Sequence, residues 1–286
     1  METVLQTKIS PTYFFRDERF SLSMTDRCHL LVELTPQSFR LAVVEKDARQ
    51  CMWLEEYQWA QAPNETKALE DLQAIVSGHA FLGKGFWQSV RATVMNQSFT
   101  LIPTPLFRRE YAARYLYLAR GSQISAQEEV HYYEHTQLGA VNVFSVERSV
   151  MDWLLDLYPF QEITLTHQTS ALIENARRES VPHLYIEKEA FTLVYAPNGQ
   201  LKYCNRFQGK NVSDLVYFVL FALNEVGLDP SEARLLLYGQ VEWDSELTLE
   251  LGKYIPHLEL GQTITTLTVP DGATYRYASL LGTVAV

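Results

Sequence analysis

The sequence predicts an α/β protein made of two similar halves, each with a mixed sheet whose first three strands are antiparallel. Three observations carry that expectation. A three-strand pattern occurs twice, as HLLVELTPQSFRLAVVEKDARQCMW from His29 to Trp53 and as HLYIEKEAFTLVYAPNGQLKYCNRF from His183 to Phe207. The strands of each copy are joined by short links, which antiparallel meanders allow and parallel pairs do not. After each triplet the pattern turns to helix and strand in alternation, as expected for strands that return through crossover helices. The first match, His29–Glu33 with His183–Glu187, has an offset of 154 residues (183 − 29). The second, Phe39 with Phe191, has an offset of 152 (191 − 39), so the copies are expected to differ by two residues in the first loop.

Residues 1–26 form a lead-in with no clean period, where an added edge strand is an option. Strands are expected over Leu30–Leu34, Phe39–Glu45 and Met52–Trp59; the first two are parted by a turn whose Pro36 cannot donate to a ladder. Pro63-Asn64 opens a helix with Leu69, Leu72, Ile75 and Val76 on one face, and Gly83 and Gly85 break the chain before a strand over Ser89–Val94. An insert over about 98–139 follows. It holds a strand at Phe99–Ile102 stopped by Pro103 and Pro105, a helix over Arg108–Arg120 ending at Gly121, and a strand over Val130–His135. That strand turns through Gly139 into Ala140–Val146. A helix over Ser145–Tyr158, a strand over Glu162–Thr166 and a crossing helix over Gln168–Arg178 complete the first half.

The second half reads as strands at His183–Ile186, Phe191–Tyr195 and Leu201–Arg206, with Pro197-Asn-Gly-Gln200 as a tight turn that needs positive φ. A helix after Asn211 runs through Val226. Then come a strand at Arg234–Tyr238, a helix over Ser245–Lys253, short strands at Leu258–Leu260 and Ile264–Val269, and a small-residue terminal segment from Tyr275. The domain assignment that follows is 1–180 for the first domain, with residues 275–286 packing back on it, and 181–274 for the second.

Composition narrows the function classes. With 286 residues and a formal net charge of −10, the chain lacks the basic field that nucleic acid or an anionic membrane would require. The three cysteines, Cys28, Cys51 and Cys204, offer no CxxC pair and no even-numbered framework, which points to a reducing cytoplasmic setting. No apolar run reaches the roughly 18 residues of a membrane span, and the first twenty residues show no apolar signal region. The longest apolar stretch, Leu215–Leu223, reads as a buried helix. His131 and His135 are spaced for zinc on a helix but fall in a strand, and no GxSxG elbow, GxxxxGK[ST] or GxGxxG is present. Tyr111, Tyr115, Tyr117, Tyr132 and Tyr133 crowd the insert, and Tyr111, Tyr115 and Tyr132 are the candidate contacts for a protein partner.

The order of these elements resembles the actin-like ATPase superfamily (a duplicated, ribonuclease H-like fold), most closely its pilus-assembly and cell-division branch. The resemblance covers most of residues 28–286. It rests on Val90–Pro103, on Val143–Trp153 running from strand to helix, on Glu162–Thr166 with the crossing helix, and on the closing Tyr277–Val286. A bacterial family with this fold is the expected home. The resemblance implies a nucleotide cleft bordered by the turn after strand one of each half, with Asp for Mg²⁺ and Gly for phosphate, and by a third loop with paired glycines. The corresponding positions here are Glu33, Thr35, Glu187, Lys188 and Gly239. Both turns lack the Asp and the Gly, Pro36 removes a donor, and Gly239 is followed by Gln240. The expectation is therefore a non-catalytic actin-like scaffold with a degenerate nucleotide site, no cofactor and a protein partner. The alternative is an active ATPase or phosphotransferase in which Glu33 and Glu187 hold Mg²⁺ for ATP.

Overall fold

The computed structural model describes residues 9–59, 65–83, 86–188, 190–209, 211–262, 267–270 and 272–285. Its elements in order begin with β1 (Tyr13–Arg16), β2 (Cys28–Leu34), β3 (Ser38–Glu45), β4 (Gln50–Gln58), α1 (Glu65–Gly78) and β5 (Ser89–Val94). Next are β6 (Phe99–Pro103), α2 (Ala112–Arg120), β7 (Glu128–His135), β8 (Ala140–Glu147), α3 (Arg148–Leu157), β9 (Ile163–His167) and α4 (Gln168–Ala176). The remainder is β10 (His183–Ile186), β11 (Ala190–Tyr195), β12 (Tyr203–Gln208), α5 (Val212–Glu225), β13 (Arg234–Gly239), α6 (Glu246–Gly252), β14 (His257–Leu260), α7 (Ala273–Arg276) and α8 (Ala278–Gly282). Two compact units emerge. One comprises Met1–Ile102, Leu106–Tyr133 and Asn142–His167; the other comprises Pro103–Pro105, Glu134–Val141 and Gln168–Val286.

The first unit is built on the sheet β1-β4-β3-β2-β5-β9. Strands β2, β3 and β4 are antiparallel, and β5 and β9 join them in parallel. Every residue of β3 is buried, as expected of a central strand covered on both faces. Leu30, Val32, Phe39, Leu41 and Val43 enter one apolar cluster with Leu72 and Ile75 of α1 and with Trp153 and Leu154 of α3. The lead-in does supply an edge strand: β1 pairs antiparallel with β4, Tyr13 opposite Glu56. The insert contributes β6, α2 and β7, and β6 and β7 flank β8 in the separate sheet β6-β8-β7. Helix α2 stops at Gly121 in the left-handed conformation, as the sequence predicted.

The second unit repeats the first without its added strand, with the sheet order β12-β11-β10-β13-β14. Its core joins Leu184, Ile186, Phe191 and Leu193 of the sheet to Leu215, Val219 and Leu223 of α5. Asn211 Oδ1 caps α5 by accepting from Asp214 N at 2.9 Å. The apolar stretch Leu215–Leu223 is not buried on all sides, because Tyr217 and Phe221 face solvent on α5. The Asn198-Gly199 turn takes the expected positive φ, 53° and 70°. Small residues let α8 approach α4: a Cβ at Gly282 would meet the Ala171 carbonyl oxygen at 3.1 Å. The strand expected over Ile264–Val269 begins in residues outside the described set. Among the described residues no helix is long and apolar enough to cross a membrane.

The register corrects one detail of the repeat. Thr35 N donates to Ser38 O and Glu187 N donates to Ala190 O, each at 2.9 Å, so both hairpins close with the same four-residue turn. The offset is 152 on both sides of the turn (187 − 35 and 190 − 38), and no residues are inserted in either loop. The 154-residue match of HLLVE with HLYIE was two places out of register. Structurally, Glu33 pairs with Arg40 across β2 and β3, and the residue in its place is Tyr185, opposite Thr192. Thr35, not Glu33, corresponds to Glu187.

Candidate functional site

The turn of the first unit satisfies its own backbone. Thr35 Oγ1 accepts from Gln37 N at 3.1 Å and from Ser38 N at 2.8 Å. Thr35 N is taken by Ser38 O, and Pro36 carries no N–H. Each amide of the turn is therefore engaged within it, as in the side-chain-capped turns that Ser and Thr form. Beneath the turn, Glu33 is fully buried in β2 and meets Arg40 Nη1 at 2.9 Å, while Arg40 Nε donates to Glu56 Oε1 at 2.9 Å. Arg40 reaches both because β3 lies between β2 and β4 and sets Arg40 opposite Glu33 on one side and Glu56 on the other. Glu33 Oε1 is buried and takes no hydrogen bond among the described residues.

The turn of the second unit solves the same problem with different residues. Glu187 begins the turn and forms an ion pair with Arg206 of β12, whose Nη1 also contacts Thr192 Oγ1 at 3.4 Å. Thr192 stands where Arg40 does, and Arg206 stands where Glu56 does, because the ladder pairs Arg40 with Glu56 and Thr192 with Arg206. The cation has moved one strand outward. Lys188, the next residue, is exposed.

Gly239 ends β13 with φ +84°, opposite Ile186 of β10. A Cβ there would stand 2.2 Å from the Ile186 carbonyl oxygen, which also accepts from Gln240 N at 2.9 Å. The corresponding position of the first unit is Val94, paired with Leu34, where a side chain is accommodated. The glycine is thus required by its own backbone contact.

Among the tyrosines of the insert, the structure separates packing from exposure. Tyr115 donates to Leu106 O at 2.8 Å and accepts from Arg108 N at 3.1 Å. Its ring and that of Tyr132 lie 6.0 and 5.0 Å from Phe107, so both pack within the insert. Tyr111 is 49% exposed, and Leu106, Tyr117 and Leu118 also stand out from the surface. The two leucines were not anticipated; they carry no motif, and only Leu118 lies on α2, whose phase turns it outward.

Other titratable groups are held in non-reactive states. Burial pushes the Cys28 thiol up to about 11 and the Cys51 thiol up to about 12, leaving both protonated. Burial lowers His29 to about 4, with Ser89 Oγ 2.8 Å from its Nδ1, and lowers His183 to about 3 against the Tyr238 ring. His131 stacks on Phe144, and His135 Nδ1 lies 2.7 Å from Glu174 Oε1, so the two take separate partners. Among the described residues no group of three or more His, Cys, Asp or Glu is placed to hold a metal.

The duplicated mixed sheets, each three antiparallel strands extended by two parallel ones, define an actin-like ATPase fold. A solved protein with that fold and unknown function, from Bacteroides thetaiotaomicron VPI-5482, superposes with a TM-score of 0.75 at 20% identity, covering 92% of this chain and 98% of its own. A chain of the solved PilM-PilN type IV pilus biogenesis complex matches with a TM-score of 0.54 at 12% identity, covering 89% of this chain and 96% of its own. The chain belongs to the family described as "Protein of unknown function (DUF3822)", whose profile matches residues 17–258. No curated protein matches it.

Proposed function

We propose that the protein is a non-catalytic actin-like scaffold that binds a protein partner in the cytoplasm, with a degenerate nucleotide site. The observation that carries this reading is the self-capped Thr35–Ser38 turn: its amides are engaged by Thr35 Oγ1 and Ser38 O and have none to offer a phosphate. The buried Glu33 supports it, because Mg²⁺ keeps several of its waters and needs a carboxylate that solvent can reach. Thr35, Glu187, Lys188 and Gly239 would then be remnants of a site whose residues now serve turn and strand geometry. The partner contact falls to the insert, with Tyr111 as its retained exposed aromatic and Tyr115 and Tyr132 as the packing beneath. The similarity to a chain of the PilM-PilN type IV pilus biogenesis complex agrees with such a role.

Two measurements test the reading. Affinity capture from the native host should recover one stoichiometric partner with the wild type and lose it with the Tyr111→Asp/Leu118→Asp variant at unchanged thermal stability. Equal recovery by both proteins would move the contact elsewhere. The rival ATPase reading requires Glu33→Gln and Glu187→Gln to abolish nucleotide turnover.

A further inference from the structure

Strand β4 sends Trp53, Glu55 and Tyr57 to one face of the first sheet by simple alternation. Strand β1 sets Phe14 directly opposite Glu55 on that face. The end of α1 and the following His79 close over them and leave a cavity of about 570 Å³, within the roughly 300–1,000 Å³ of small-molecule pockets. Its lining includes Phe14, Trp53, Glu55, Tyr57, Ile75 and His79, with no Lys or Arg among the described residues.

Hydrogen bonds fix the arrangement of the polar groups of this cavity. Glu55 Oε2 accepts from Tyr57 OH at 2.8 Å and lies 3.0 Å from His79 Nε2. His79 Nδ1 accepts from the backbone N–H of Phe81 and of Leu82, both at 3.3 Å, which leaves Nε2 as the ring nitrogen that donates to Glu55. Burial and Glu55 together raise the Tyr57 phenol, which keeps it protonated. Both donors orient the Glu55 carboxyl group. Both of these hydrogen bonds fall on Oε2; none to Oε1 is seen among the described residues, and Glu55 lines the cavity. A side-chain carboxyl that is 4% exposed beside an aromatic cavity is a natural counter-charge for a cation.

We propose that this cavity binds a small organic cation of the alkylammonium class, with Glu55 as counter-charge and the Phe14, Trp53 and Tyr57 rings as its walls. Aromatic faces attract such cations through the ring quadrupole, and Arg16 already lies 5.5 Å from the Trp53 ring centre in this manner. The site shares no residue with either turn or with the insert, so it does not depend on the scaffold reading.

The test is a titration of the full chain with choline and with butylammonium, followed through the indole N–H resonance of Trp53. Saturable binding of at least one probe is expected. For choline, the neutral isostere 3,3-dimethylbutan-1-ol should bind at least tenfold more weakly. Glu55→Gln keeps the shape of the side chain and should weaken the ammonium by tenfold or more. Phe14→Ala removes an exposed wall without disturbing the core and should weaken it several-fold, which keeps the proposal testable if Glu55→Gln fails to fold. Failure of both probes to saturate, equal binding of the neutral isostere, or binding unchanged in the folded variants would each overturn it.

Discussion

The two turns that follow the first strand of each half have one backbone geometry and two electrostatic solutions. In the first, a buried carboxylate within β2 is neutralised from the adjacent strand, by Arg40 shared between Glu33 and Glu56. In the second, a carboxylate on the turn itself is neutralised from the strand beyond, by Arg206. The ladder preserved the places and exchanged the residues. What duplication conserves here is the hairpin and its register; the charge pattern was rebuilt separately in each half, with each carboxylate's charge met from within its own sheet.

Breaking this comparison should hurt the first half more. Arg40→Met leaves two buried carboxylates without their shared cation and is expected to cost about 3–5 kcal/mol. Arg206→Met strands one carboxylate that can turn toward solvent and should cost about 1–3 kcal/mol. Urea unfolding of the two variants measures the difference, and equal losses would mean that the sharing of Arg40 adds nothing. The Gly239/Val94 contrast comes next. Gly239→Ala combines a left-handed residue, about 1–2 kcal/mol by itself, with a main-chain overlap at Ile186, so its loss should exceed that figure. Val94→Gly opens no such conflict and should show only the loss of a buried side chain.

The buried histidines give a pH signature of similar size. The pKa of His183 is depressed to about 3 in the fold, so above its ordinary pKa of roughly 6.5 both states are neutral and nothing changes. Below that value the unfolded chain takes up a proton that the folded one refuses. Stability should therefore fall by about 1.4 kcal/mol per pH unit from pH ~6.5 toward ~3. His183→Phe, which retains a ring against Tyr238, should flatten that slope in thermal melts between pH 6.5 and 5. Thr35→Ala is the mildest change, since the turn's amides then turn to solvent, and about 1 kcal/mol is expected.

Much of the fold was legible because its signals were local. Pro36, Asn198-Gly199, Gly121 and Asn211 each act within a few residues, and each did what its chemistry demands. The resemblance then rested on the order of those elements. The hairpin register was misread for a physical reason. A slip of two residues keeps every side chain on its own face, so the alternation of Leu30, Val32 and their counterparts could not reveal it. That slip equated Glu33 with Glu187 and hid the Arg40 and Arg206 pairings, which depend on strands brought together across 7 and 19 residues. The Tyr57–Glu55–His79 cluster was equally invisible, since His79 reaches Glu55 across 24 residues through the return of α1. Strand β1 escaped a firm assignment because its four residues include three aromatics and an arginine, with no apolar-polar alternation to read.

The measurement closest to the central claim is calorimetric titration of the full chain with MgATP and MgADP, alongside the Thr35→Gly variant that releases the amides of Gln37 and Ser38. No saturable heat from the wild type at millimolar nucleotide is the expected result. Micromolar MgATP binding by the wild type, abolished by Glu187→Gln, would contradict the account and restore the ATPase reading.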